Sequence, residues 1–129
     1  MATVARRAAA PWCPKRQNVI WIDCNPQAGG EMRDMHPMLV LSPEAFNART
    51  GLVICLPMTT AAYNATNPFA LAVGAASGRK SGKTSYVLCH QPKSFGWRAR
   101  GARPHPMKQV GDEVFAAACA LLNQIVEIG

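Results

Sequence analysis

His36-Pro37-Met38-Leu39-Val40-Leu41-Ser42-Pro43-Glu44-Ala45-Phe46-Asn47-Ala48-Arg49-Thr50-Gly51-Leu52-Val53-Ile54-Cys55-Leu56-Pro57-Met58-Thr59-Thr60 carries the strongest structural signal in the chain. Met38 to Leu41 and Leu52 to Leu56 are short apolar runs of strand length, too brief for helices. Between them, Ser42-Pro43-Glu44 reads as an N-cap, a first-turn proline and an acid matched to the helix dipole, so a brief helical turn through Phe46 is expected. Pro57 closes the second run, and Thr59-Thr60 follow it.

Upstream, Asn18-Val19-Ile20-Trp21-Ile22-Asp23-Cys24 is β-branched and aromatic and stops at Asn25-Pro26, which makes it the first strand. The polar segment Gln27 to His36, with Gly29-Gly30, is a candidate functional loop. Downstream, Phe69 to Val73 and Ser85 to Cys89 are two further strands joined by Gly74 to Lys83. From Asp112 the period changes: Val114, Phe115, Ala118, Cys119, Leu122, Ile125 and Val126 recur at helical spacing, with Asp112 as cap and Glu113 in the first turn. Several short strands followed by one amphipathic helix imply a mainly β fold, a small barrel or open sheet with the terminal helix packed on it.

The chain has 129 residues, 49% of them hydrophobic, which suits one domain around one core. Met1 to Pro14 carries Arg6 and Arg7 before only a few alanines and lacks the apolar stretch of a signal peptide, so residues 1–15 are expected to be a disordered tail before a domain at 16–129. No run approaches the roughly 18 to 20 apolar residues of a membrane span. Cys13, Cys24, Cys55, Cys89 and Cys119 are odd in number and lie far apart, without the spacing of a zinc site. They read as reduced, mostly buried thiols in a reducing, cytoplasmic setting.

Fourteen Lys and Arg face seven Asp and Glu, and Arg79 to Lys108 holds eight basic side chains and no acidic one. Such a segment attracts polyanions. Ser77-Gly78-Arg79-Lys80-Ser81-Gly82-Lys83-Thr84 is nearly a phosphate loop, but its first glycine would fall at Ser77 and Thr84 leads into a strand where that motif needs a helix. It is read as a basic loop instead of a nucleotide site. Phe95-Gly96-Trp97-Arg98-Ala99-Arg100-Gly101 interleaves aromatics with guanidinium groups, which suits stacking on unpaired bases, or else marks a strand with buried aromatics and solvated arginines. The three histidines could each accept or donate a proton near neutral pH, and His105, between Pro104 and Pro106, is the least promising of them.

The run from Glu31 through His36-Pro37, Ser42-Pro43, Phe46-Asn47, Thr50-Gly51 and Leu56-Pro57-Met58-Thr59-Thr60, with Pro68-Phe69 and Gln91, Lys93-Ser94-Phe95 and Trp97-Arg98-Ala99-Arg100, resembles the MazF/PemK toxins over residues 16 to 129. The resemblance implies an SH3-like antiparallel β-barrel with a C-terminal amphipathic helix, shared with the CcdB proteins. It implies a homodimer binding single-stranded RNA across its interface, and cleavage without metal or cofactor to a 2′,3′-cyclic phosphate and a 5′-hydroxyl. It also implies neutralisation by a MazE/PemI-like antitoxin whose acidic C-terminal tail fills the groove.

Carried over by position, Glu31 is a loop glutamate, Thr59 the hydroxyl residue at the scissile phosphate, and Gln91 a glutamine in the strand before the basic segment. Thr60, Arg79, Lys80, Lys83, Gln91, Lys93, Trp97, Arg98 and Arg100 are the expected RNA contacts. The departures are His36 where the family has arginine, His90 where it has aspartate, and Gln17-Asn18 where it has Gly-Asp. It is these family positions that give His36 and His90 their weight. Three readings of the first departure stay open: His36 is catalytic with Thr59, Arg33 replaces the missing cation, or the site is weakened and the protein binds without cutting. The competing class is a non-enzymatic, CcdB-like inhibitor of DNA gyrase.

Overall fold

The computed structural model describes residues 11–24, 35–75 and 84–127. Within them the chain forms β1 (Asn18–Asp23), β2 (Met35–Val40), α1 (Glu44–Thr50), β3 (Leu52–Thr59), a 3-10 helix (Ala62–Thr66), β4 (Ala70–Ala75), β5 (Thr84–Leu88), β6 (Lys93–Gly96), β7 (Arg103–Gln109) and α2 (Asp112–Val126). The strands pair antiparallel in the order β4-β5-β3-β2-β1-β7, with β6 also on β3, and the sheet curls into a half-barrel. The mainly β fold with a terminal helix, expected from the sequence, is the one that forms.

Both faces of the sheet are buried, which is why its strands read as continuous apolar runs. On one face Val19, Leu39, Leu56, Met58 and Val87 meet Val110 and Ala118, with Val114, Phe115, Leu121 and Leu122 of α2 closing over them. On the other, Ile20, Ile22, Met38, Val40, Val53 and Cys55 pack with Trp97. Each such aliphatic side chain, fully buried, contributes about 1.5–3 kcal/mol. The helix therefore packs on part of one face.

Several local expectations shift. Ser42 is not the cap of α1. Pro43 holds that position, while the buried Ser42 hydroxyl donates to Asn47 Oδ1 at 2.6 Å and accepts the Ile54 N–H at 2.9 Å. The helix runs beyond Phe46 to Thr50 and stops at Gly51, whose φ of +74° is left-handed and favours glycine. At α2 the cap is Gly111, and Asp112, inside the first turn, accepts from Gln17 Nε2 at 2.9 Å. β3 continues through Pro57 to Thr59: Pro57 faces Met38 of β2 on one edge, and on the other it lies between the part paired with β6 and the part paired with β5, where that ladder is interrupted.

β7 contains Pro104 and Pro106, and its proline content hid it from sequence reasoning. It lies at the end of the strand order, paired among the described residues with β1 alone, which is where a sheet tolerates missing N–H donors. Part of the tail expected through residue 15 is held to the domain: Pro14 is buried, its carbonyl accepts from Asn47 Nδ2 at 2.8 Å, and Trp12 meets Trp97 edge-on at 5.8 Å. Among the described residues no helix is long and apolar enough to cross a membrane.

Candidate active site

β1, β2, β3, β5 and β7 converge on a cavity of about 530 Å³. Its apolar wall comes from Trp21, Pro37, Met58, Pro106 and Met107. Its polar groups are His36 on β2, Thr59 at the end of β3, Thr60 just after it, Ser85 on β5 and His105 on β7. Antiparallel pairing sets these positions: His36 faces Ile22 across β1–β2, and Thr59 faces Tyr86 across β3–β5. The sheet thus brings together two of the expected catalytic residues, His36 and Thr59, and one expected RNA contact, Thr60.

The Thr59 hydroxyl oxygen accepts the Ala61 N–H at 3.1 Å. That bond uses an oxygen lone pair, so the hydroxyl proton stays available for an acceptor in the cavity, such as a phosphoryl oxygen. His36 is exposed at the cavity edge. It supplies an imidazole, whose nitrogens can accept or donate a proton.

His105 is the functional candidate that sequence reasoning ranked last. It is 6% exposed, with its ring 4.6 Å from that of Trp21 at an interplanar angle of 38°. Its Nδ1 accepts the Met107 N–H at 2.9 Å, and burial pushes its pKa below the usual histidine value. A nitrogen that accepts carries no proton, so the ring is the neutral tautomer protonated on Nε2. Alternation along Arg103-Pro104-His105-Pro106-Met107 would have placed His105 and Met107 on one face, had the prolines not argued against a strand.

The remaining expected contacts are spread elsewhere. Trp97 is a correction: it is 6% exposed, packs in the core, and donates from Nε1 to the Asn47 carbonyl at 2.8 Å, so it offers no open face to a base. Its arginine neighbours in sequence lie nearer the solvent. Arg98 is exposed, lies over the Trp97 ring at 4.3 Å and donates to the Ala48 carbonyl at the C-terminal end of α1, where the helix dipole favours a cation. Arg100, half-buried, donates to the Asp23 carbonyl at 3.1 Å, one residue beyond the Ile22–His36 pair.

Lys93 is exposed on β6, opposite Cys55. Thr59 lies four residue steps along β3 from Cys55, a span of about 13 Å. Gln91 sits in the turn between β5 and β6, not in a strand, within 3.3 Å of His90 Nε2. His90 tilts against Phe69 and is not among the cavity's lining residues. Glu31, Arg33, Arg79, Lys80 and Lys83 lie outside the described residues, as do most of the candidate loop from Gln27 and the near-phosphate-loop segment. Among the described residues no three His, Cys, Asp or Glu side chains gather as a metal site.

Comparison with known proteins gives the same architecture and more. The endoribonuclease toxin MazF of Escherichia coli K12 is 36% identical over 91 residues, covering 70% of this chain and 76% of that one. The crystal structure of MazF from Deinococcus radiodurans superposes with a TM-score of 0.75 at 30% identity, covering 92% of this chain and all of the other. A MazE–MazF structure from the same organism gives 0.74 at 27% identity, with the same coverage. The model of the PemK-like, MazF-like toxins of type II toxin-antitoxin systems matches residues 15–126, and the chain, whose half-barrel ends in a cavity edged by His36 and Thr59, belongs to that family.

Proposed function

We propose that this protein is a sequence-selective endoribonuclease toxin that cleaves single-stranded mRNA without a metal ion. The observation that carries the reading is the Thr59 hydroxyl: anchored through its oxygen by Ala61 N–H, it keeps its proton for a phosphoryl oxygen in a cavity that His36 also lines. Cleavage of this kind needs a base, an acid and donors on the phosphorane, and no redox or hydride chemistry. The RNA's own 2′-oxygen attacks phosphorus and gives its proton to the base. The P–O5′ bond then breaks, and the 5′-oxygen takes a proton from the acid. A 2′,3′-cyclic phosphate and a 5′-hydroxyl result.

His36 is assigned the acid or base role and Thr59 the phosphoryl donor. Arg33, from the preceding loop, is the candidate cation, with Glu31 as a further loop participant. The positive segment Arg79 to Lys108 draws in the strand, with exposed Lys93 and Arg98 and half-buried Arg100 as cations of its described part. The same field fits a MazE/PemI-like antitoxin with an acidic C-terminal tail, and the working unit is a homodimer.

The test is cleavage of naked single-stranded RNA in excess EDTA, with 5′ ends mapped and the chemistry of the new termini identified. Cuts at a short preferred sequence with 5′-hydroxyl ends are expected. Folded protein that leaves every RNA intact would overturn the enzymatic reading, and inhibition of DNA gyrase in its place would point to the CcdB-like class. Single-turnover rates of His36→Ala and Arg33→Ala assign the roles: the larger loss marks the residue that acts on the phosphorane or its protons, and two unchanged rates would remove both from the mechanism.

A further inference from the structure

The structure assigns the Trp21–His105 wall of the cavity as a nucleobase subsite, with the His105 Nε2–H as its polar reader. This rests on the reading of the protein as an RNA-cutting enzyme and says where in the cavity sequence choice is exercised.

Three observations converge on it. His105 is a buried polar side chain whose Nδ1 is already satisfied by Met107 N–H, which leaves Nε2–H as its one remaining donor. The ring lies against half-buried Trp21 at a tilt of 38°, and both line the cavity with Met58, Pro37 and Met107, a largely apolar surround. The cavity, at about 530 Å³, falls in the range that holds a ligand of nucleoside size.

The chemistry of the wall selects among the parts of an RNA strand. A phosphate calls for a cation, and a ring that accepts an N–H at Nδ1 and is buried against indole is held neutral. A base has a flat apolar face and edge acceptors, and neutral N–H donors beside aromatic and thioether side chains match both. The donor favours a base presenting a carbonyl oxygen at that edge, as uracil, cytosine and guanine do. The fixed tautomer gives the discrimination its direction. A base presenting a donor there would leave two N–H groups opposed and unpaired, which is the kind of mismatch that a polar pocket rejects strongly. Thr59 and His36, at the strand ends bordering the same cavity, would hold the adjoining phosphate, so the subsite reads a nucleotide next to the cut.

The variants His105→Phe, His105→Gln and His105→Asn separate this role from packing. Phenylalanine keeps the ring contact with Trp21 and removes both the Nε2 donor and the Nδ1 acceptor of the Met107 N–H. Glutamine places an N–H near the position of Nε2, and asparagine places its amide near Nδ1. Each is confirmed as folded by circular dichroism, and each is used to cut a randomised single-stranded RNA library that is then sequenced at its new ends. For His105→Phe the preference at one nucleotide position next to the cut should flatten, with a loss on the order of tenfold in kcat/KM at the preferred sequence and little loss at the others. Glutamine should restore much of the preference and asparagine should not. Nitrogen-15 spectra of the free parent should show His105 protonated on Nε2 and bare on Nδ1.

An unchanged cutting profile in the folded phenylalanine variant, or an equal rate loss at every sequence in all three variants, would overturn the subsite. The opposite tautomer would do the same. If the parent cuts no RNA at all, the enzymatic reading fails on its own. The subsite is then decided by selecting binders from a randomised 2′-deoxy oligonucleotide pool with the parent and with His105→Phe: a base preference lost in the variant supports it, and identical selected pools refute it.

Discussion

Replacing Thr59 by valine removes one hydroxyl and leaves a side chain of nearly the same shape and the same β-branching at the end of β3. The structural cost follows from a single bond: the Thr59 oxygen accepts the Ala61 N–H at 3.1 Å at a half-buried site, so stability should fall by about 1 kcal/mol. The catalytic cost is larger. A preorganised donor aimed at the charge that develops in a transition state contributes about 2.7–4 kcal/mol, or roughly 10²–10³-fold in rate. Urea unfolding gives the first quantity, and single-turnover cleavage of a saturating RNA gives the second. The two together separate a damaged fold from a damaged site. Thr59→Ser, which returns the hydroxyl, should recover most of the rate. A valine variant that cuts within about threefold of the parent would refute the assignment of Thr59 as the phosphoryl donor.

Asn47 is fully buried, and its side-chain oxygen accepts a hydrogen bond from the Ser42 hydroxyl while its amide nitrogen donates to the Pro14 and Ser42 carbonyls; Asn47→Ala should therefore cost about 3 kcal/mol, read as a lower urea midpoint at an unchanged slope. His105 has its pKa lowered by burial, so the unfolded chain takes up its proton first as pH falls. Its contribution to stability is full above the ordinary histidine value near 6.5 and is lost as pH drops through the lower folded value. Urea midpoints measured from pH 7.5 to 5 should show a decline that His105→Phe reduces, and parallel curves for the two proteins would contradict the neutral ring. Burial pushes the Cys55 thiol up to about 12 and the Cys89 thiol up to about 11, so at pH 8 each carries a thiolate fraction of only about 10⁻⁴ to 10⁻³. Neither should react with iodoacetamide until the protein is unfolded in denaturant, and prompt labelling of Cys55 in the native state would show that its environment is open.

The strands with apolar runs were legible from residues alone. Asn18–Asp23, Met35–Val40 and Leu52–Thr59 bury residues on both faces, and α2 repeats its apolar positions at a helical period because one side lies on the sheet. Thr59 and His36 could be singled out through the family pattern, since they border the ends of those readable strands. Trp97 misled because interleaved aromatics and arginines look the same whether the ring meets a base or the core. Its Nε1–H bond to the Asn47 carbonyl, between residues far apart in the chain, decides the matter.

The order and type of most elements, the cationic bias after Arg79 and the family are thus written in the amino-acid sequence. Those depend on local propensity, periodicity and composition, which are properties of neighbouring residues. Which side chains share a cavity is settled only by the folded chain. β7 reads poorly because proline removes N–H donors, a local penalty that an edge strand beside β1 does not feel. Closing that edge carries His105 from between two prolines to the face of Trp21, and hence to the cavity that His36 and Thr59 line. No spacing in the chain encodes that meeting, because it is made by the curl of the sheet.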